Sequence, residues 1–107
     1  MFMNKHSKGA RVENIAKKRL VAEGFIVDKK NWSRFASKDI FGLWDLIAVK
    51  DNGSRLMLIQ VKSNESDFYT ARKQIKEWQP LENLVYLGIE CELWLWQGKD
   101  IFRIERF

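Results

Sequence analysis

The sequence predicts an α/β fold in a single domain spanning residues 1–107: a mixed central β-sheet flanked by helices, in the order α-β-β-β-α-β-β-β. Three observations predict it. Residues 44–63, WDLIAVKDNGSRLMLIQVKS, hold two apolar runs, Leu46–Val49 and Leu56–Val61, around Asp51-Asn52-Gly53-Ser54. Asn-Gly between such runs is a strong hairpin signal, because both residues tolerate the positive φ of a type I′ turn. Two segments with apolar residues at helical spacing, 8–23 and 67–78, flank this hairpin. Two late runs, Glu92–Trp96 and Ile101–Glu105, enclose Gln97-Gly98-Lys99-Asp100 and read as a closing hairpin.

The elements follow in order. Residues 1–7 read as a loose basic arm. From Lys8 to Glu23, Val12, Ile15, Ala16 and Leu20 form one helical stripe, and Gly24 is placed to stop it. Glu13 sits beside that stripe, where it can lie at the core's edge and reach over a neighbouring sheet or simply pair with Lys17. Phe25–Lys30 is a short strand, and Asn31–Gly42 an irregular loop mixing Trp32, Phe35 and Phe41 with Arg34, Ser37, Lys38 and Asp39. Such a loop can grip phosphates or stack on bases, or be tacked down by its own aromatics. After the central hairpin, Asn64-Glu65-Ser66 is a capping break. A second helix, Asp67–Trp78, carries Phe68, Ala71, Ile75 and Trp78 on one face and ends at Pro80. Leu84–Ile89 is an apolar run suited to a buried strand, set to lie parallel to the strand before the second helix. Leu93 and Leu95 alternate with Trp94 and Trp96, so both faces of that strand need a cover, either a helix or a partner subunit.

Composition narrows the function. A hydrophobic content of 46% with five Trp and seven Phe excludes disorder, and the length suffices for a core without metal or disulfide staples. Cys91 is the lone cysteine, which excludes an intrachain disulfide and reads as a small buried hydrophobe rather than a nucleophile. The N-terminal MFMNKHSKGARVEN lacks the apolar segment of a signal peptide, and no apolar run approaches the ~20 residues of a membrane span. A soluble, intracellular, cytoplasmic protein with no membrane partner is expected. The net charge of +5 favours a polyanionic partner such as DNA, or a basic face kept for solubility. Basic residues crowd the first 38 positions, where Lys5, Lys8, Arg11, Lys29, Lys30, Arg34 and Lys38 are candidate DNA contacts.

The hairpin supplies the candidate chemistry. With Asn52 and Gly53 at the tip, paired positions sum to 105, so Asp45 falls opposite Gln60, and Lys62 shares the face of Gln60. An acid, an amide and a lysine thus converge on one patch. The Asp45 carboxylate, the Gln60 side-chain oxygen and the Val61 carbonyl are hard ligands for Mg²⁺, with Mn²⁺ as a substitute. Lys62 would orient a water or offset charge on phosphorus, and Glu13 would complete the inner or outer ligand set. Taken alone, D-x14-Q-x-K is a weak pattern, and a polar edge hairpin with an Asp–Lys pair is the bland reading.

These residues resemble a family. Lys8-Gly9-Ala10 with Glu13, Glu23-Gly24-Phe25-Ile26-Val27, Trp44-Asp45-Leu46-Ile47-Ala48 and Ile59-Gln60-Val61-Lys62 are similar to the archaeal-type Holliday junction resolvases, members of the PD-(D/E)xK nuclease superfamily. The resemblance covers about residues 5–80 and implies a restriction-endonuclease-like core and a dimeric, Mg²⁺-dependent endonuclease that cuts branched DNA in recombination and repair. By position it makes Glu13 and Asp45 the acids, places Gln60 where the family has a glutamate, and makes Lys62 the lysine. Ser37, with Ser33 as second choice, matches a functional serine in the loop before the aspartate. The chain departs from the pattern in three ways: Gln60 removes one negative charge, Trp44 stands where proline is usual, and the loop from Asn31 to Gly42 is longer. Alternatives remain a restriction-like nuclease on linear or modified duplex DNA, a DNA-binding module whose site has decayed at Gln60, and a small dimeric interaction protein.

Overall fold

The computed structural model describes the backbone of residues 5–29, 31–32 and 37–107, and side chains at 8–29 and 39–107. In chain order the elements are α1 (Lys5–Ala22), β1 (Phe25–Lys29), β2 (Asn31–Trp32), β3 (Ser37–Lys38), β4 (Leu46–Lys50), β5 (Leu56–Lys62), α2 (Glu65–Glu77), α3 (Leu81–Tyr86), β6 (Glu90–Trp96) and β7 (Phe102–Arg106). The main sheet has the order β1-β4-β5-β6-β7. Among the described strands only β5 and β6 are parallel, joined by the segment carrying α2 and α3. A strand beyond the second helix does lie parallel to the one before it, but it is Glu90–Trp96 and not the expected Leu84–Ile89. Residues 5–7, expected in a loose arm, belong to α1, since Lys-His-Ser contains no residue that breaks a helix.

Each face of the sheet is covered by helix. Val12, Ala16 and Leu20 of α1 pack with Phe25, Leu46, Ala48, Met57, Ile59, Val61 and Trp94. Phe68, Ala71 and Ile75 of α2 pack with Trp44, Leu58, Leu93 and Leu95 on the other face. Each such large side chain removed from water stabilises by about 1.5–3 kcal/mol. Leu93 and Leu95 thus face α2 while Trp94 faces α1, so the apolar late strand is buried on both sides within one chain. That stripe does not require a partner subunit.

The central hairpin keeps its expected register: Leu46↔Ile59, Ile47↔Leu58, Ala48↔Met57 and Val49↔Leu56 each sum to 105. Its turn is different. Gly53 has φ +73° but Asn52 is not among the positive-φ residues, so this is not a type I′ turn. The Gly53 N–H bonds the Lys50 carbonyl at 2.8 Å, and the Asn52 Oδ1 accepts from the Ser54 N–H at 3.0 Å. Asn52 acts through its side chain, and glycine alone takes the left-handed position. The four-residue loop leaves the register unchanged.

Two further expectations are corrected. Leu84–Ile89 is not a strand: residues 81–86 form α3, and β6 begins only at Glu90. Gly88 at φ +87° ends α3, with its N–H on the Val85 carbonyl and the Ile89 N–H on the Leu84 carbonyl, both at 2.9 Å. This is a Schellman stop, in which Leu84 and Ile89 are both drawn against the α2-side core. The second helix ends at Glu77 with Trp78 as its C-cap, just before Pro80 as expected, and Pro80 is also the N-cap of α3. Part of the loop expected over Asn31–Gly42 is ordered as β2 paired with β3, Asn31↔Lys38 and Trp32↔Ser37.

Candidate active site

The site lies where β4 begins and β5 ends. β5 is the central strand, flanked by β4 and β6, and Met57–Val61 are buried along it. A strand in this position must be apolar on both faces, which makes a buried Gln60 exceptional. Gln60 is 4% exposed, and its Oε1 has no hydrogen-bond partner among the described residues. Leaving a buried polar atom unsatisfied costs about 1–3 kcal/mol. Gln60 and the partly buried Lys62 alternate with Ile59 and Val61, so they share the face of Leu58 beneath α2.

Asp45, 4% exposed, departs from simple alternation. The ladder's last regular pair is Leu46↔Ile59. Beyond it, the Asp45 N–H bonds the Ile59 carbonyl at 2.9 Å, and the Asp45 Oδ2 accepts the Val61 N–H at 2.7 Å. The N–H groups of a strand point sideways within the sheet, so the carboxylate takes the place of the next rung. It binds the backbone N–H of the residue that follows Gln60. Sequence reasoning, which assumed an unbroken pleat, missed this bond.

Glu13 is buried beside Val12 on α1, 8% exposed, with its Oε1 3.9 Å from the Lys29 Nζ. Lys29 pairs with Leu46 across β1 and β4, so Glu13 reaches the end of the sheet at which Asp45 stands. Lys29 also donates to the Asn14 Oδ1 at 2.9 Å. Asn14 was not among the candidates, and only its place beside Glu13 could have signalled it. The structure therefore joins Asp45 with Val61 and brings Gln60 and Lys62 alongside, while Glu13 approaches through Lys29 on the α1 face.

Of the candidate DNA contacts, Lys8 and Arg11 are exposed on α1. The Arg11 guanidinium lies over the Trp96 ring, 5.9 Å from its centroid, one residue beyond the Leu95 that pairs with Lys62. Arg11, Lys29 and Lys62 thus mark one end of the sheet. The side chains of Lys5, Lys30, Arg34, Lys38, Ser33 and Ser37 lie outside the described residues.

Among the described residues no group of three or more His, Cys, Asp or Glu gathers as a metal cluster. The oxygens on offer are one carboxylate, one amide and the main-chain carbonyl of Val61. Such an all-oxygen set suits Mg²⁺, which binds through one or two carboxylates and keeps several waters. The buried, unpartnered Gln60 oxygen also fits a cation-facing role.

This site sits on a restriction-endonuclease-like α/β fold, a five-stranded mixed sheet flanked by helices. Among solved structures, the chain is similar to Hjc of Archaeoglobus fulgidus, a Holliday junction resolvase from an archaeal hyperthermophile. The TM-score is 0.61 with 20% sequence identity, covering 94% of this chain and 73% of that one. No family model matches the chain, and no curated relative matches it in sequence. At this identity the likeness establishes a shared fold. No helix among the described residues is long and apolar enough to cross a membrane.

Proposed function

We propose that this protein is a metal-dependent endonuclease that hydrolyses phosphodiester bonds in branched DNA, as a Holliday junction resolvase does, and that it works as a homodimer. The observation that carries this reading is the Asp45 carboxylate anchored on the Val61 N–H at 2.7 Å, next to Gln60 and Lys62, at one end of a resolvase-like sheet. A carboxylate fixed by the backbone is pre-oriented for its task, which a mobile surface acid is not.

Asp45, the Gln60 oxygen and the Val61 carbonyl would hold the cation, with Glu13 in support. Mg²⁺ or Mn²⁺, when bound, polarises the scissile phosphate and lowers the pKa of a bound water. Lys62 places an ammonium where negative charge grows on the phosphoryl oxygens, and it contributes most where water is excluded. The Val61 N–H holds one Asp45 oxygen and so fixes the direction of the other. Lys29 holds Glu13 in place through its contacts to Glu13 and Asn14. Arg11, Lys8 and Lys29 supply phosphate contacts, which give affinity without selecting sequence. The proposed roles of Ser37, Lys5, Lys30, Arg34 and Lys38 rest on the sequence alone.

The neutral amide of Gln60 favours a second reading, a DNA-binding module that no longer cuts. Cleavage of a synthetic four-way junction and the matching linear duplex in Mg²⁺ separates the two. Paired nicks on the junction, lost in Asp45→Ala, support the resolvase. Equal cutting of both substrates points to a restriction-like nuclease on duplex DNA. Tight junction binding without cutting in Mg²⁺ or Mn²⁺ identifies the binding module.

A further inference from the structure

Phe41 occupies a backbone position that its side chain makes unfavourable. It has φ +55° and is followed by Gly42 at φ +71°. Two consecutive positive φ values are the pattern of a type I′ turn, where Asn, Asp or Gly is at ease and a bulky residue is strained. The turn is tightly closed. The Leu43 N–H bonds the Ile40 carbonyl at 3.1 Å, and Ile40 and Trp44 exchange main-chain bonds of 2.8 and 2.9 Å. The ring gains little from the core, being 67% exposed, with the Trp78 ring 6.2 Å away at 46°. Strain of this kind persists only where the surroundings impose it, and it clusters at ligand-contacting positions.

The turn's location gives it a partner. Phe41 precedes Asp45 by four residues, and the Ile40↔Trp44 bridge makes it the tip of a short loop projecting from the start of β4. Four residues span at most about 14 Å, the length of roughly four nucleotides along one strand. A DNA strand that reaches Asp45 and continues toward this loop comes within reach of the ring. Aromatic rings take unstacked bases of any sequence, whereas an intact duplex keeps its bases stacked on one another.

We infer that Phe41 is a stacking platform for an unstacked nucleobase of the strand entering the Asp45 site, and that it selects DNA with bases already unstacked. This rests on the reading of DNA as the substrate. A branch point and a single-stranded end offer the same chemistry, and the test separates them.

The experiment measures binding of the whole chain, in EDTA, to a four-way junction, a single strand and a matched duplex. The proteins are wild type, Phe41→Asn and Phe41→Trp. Phe41→Asn lowers affinity for unstacked DNA by about 5- to 140-fold, the range of one base–aromatic stack. Duplex affinity holds, and Phe41→Trp retains the discrimination. A loss on the junction assigns the branch base, and a loss confined to the single strand assigns an end or gap. Phe41→Asn also raises the thermal midpoint, because asparagine accepts the positive φ; a purely structural phenylalanine would lower it. Unchanged junction and single-strand affinity, a lowered midpoint, or a dimer that becomes monomeric on sedimentation overturns the inference. Wild type that binds no DNA rejects the nuclease reading as well, whereas wild-type junction cleavage with unchanged binding by Phe41→Asn rejects this inference alone.

Discussion

The carboxylate of Asp45 accepts a hydrogen bond from the main-chain N–H of Val61 at 2.7 Å, so one side chain both closes the central hairpin and opens the candidate site. The two duties separate by substitution. Asp45→Asn keeps an oxygen for the Val61 N–H, whereas Asp45→Ala leaves that buried donor unsatisfied at about 1–3 kcal/mol. Urea unfolding is expected to show Asp45→Ala destabilised by that amount and Asp45→Asn much less, with junction cleavage lost in both.

Gln60 holds a buried oxygen that no described group satisfies. Replacing it with methionine, of similar shape and apolar, is expected to leave metal-free stability unchanged or slightly raised while abolishing cleavage. Gln60→Glu buries a second carboxylate close to Asp45, so its melting point in EDTA falls below wild type. Mg²⁺ then restores more stability to Gln60→Glu than to wild type, because the added charge strengthens cation binding. Melting with and without Mg²⁺ checks both.

At the other end of the sheet, the Arg55 Nε and Nη2 donate to the two Glu90 oxygens at 2.8 and 2.9 Å. The Arg55 hydrogen bond holds the Glu90 carboxyl below its ordinary value of 4.5, against a smaller opposing effect of burial, with Arg106 adding attraction. A depressed carboxyl stabilises the fold above its unfolded pKa and loses that contribution as pH falls through the folded value. The Glu90 contribution is therefore present at neutral pH and disappears below about pH 4.5. Glu90→Gln is expected to flatten that part of the acid limb in a series of melts from pH 6 to 3. The effect is small, because Arg55 is partly solvated.

Cys91 is buried in the α2-side core, and burial pushes its thiol up to about 11, with Glu92 adding repulsion. The thiolate is the reactive form, so iodoacetamide is expected to leave the native protein unlabelled at neutral pH and to modify it only in denaturant. Mass spectrometry of the two samples decides it, and rapid native labelling would contradict this burial.

Gly53 alone carries the positive φ of the central turn, at +73°. Gly53→Ala is expected to lose about 1–2 kcal/mol through its Cβ, and Asn52→Ala less, since Asn52 contributes only side-chain bonds to Ser54. Urea midpoints of the two variants test the order.

The central hairpin was legible because its evidence is local. Two apolar runs, Leu46–Val49 and Leu56–Val61, joined by a four-residue polar loop read as a hairpin, and the position of the loop fixes the register. The stripes Val12-Ala16-Leu20 and Phe68-Ala71-Ile75 were legible for the same reason, since helical spacing fixes one face. Leu84–Ile89 was not, because a short apolar run reads equally as strand or helix. There, Gly88 and the burial of Leu84 and Ile89 against α2 and β6 decided. The site divides in the same way. The sequence named Asp45, Gln60 and Lys62, but only the packed chain could end the ladder at Leu46 and send the Asp45 carboxylate to the Val61 backbone. Only the packed chain, too, could bring Glu13 to Lys29, since that contact depends on how α1 lies across β1. Periodicity records which way a side chain faces along its own element; where one element stops and which distant group replaces its missing partner are settled by satisfying every buried polar atom at once.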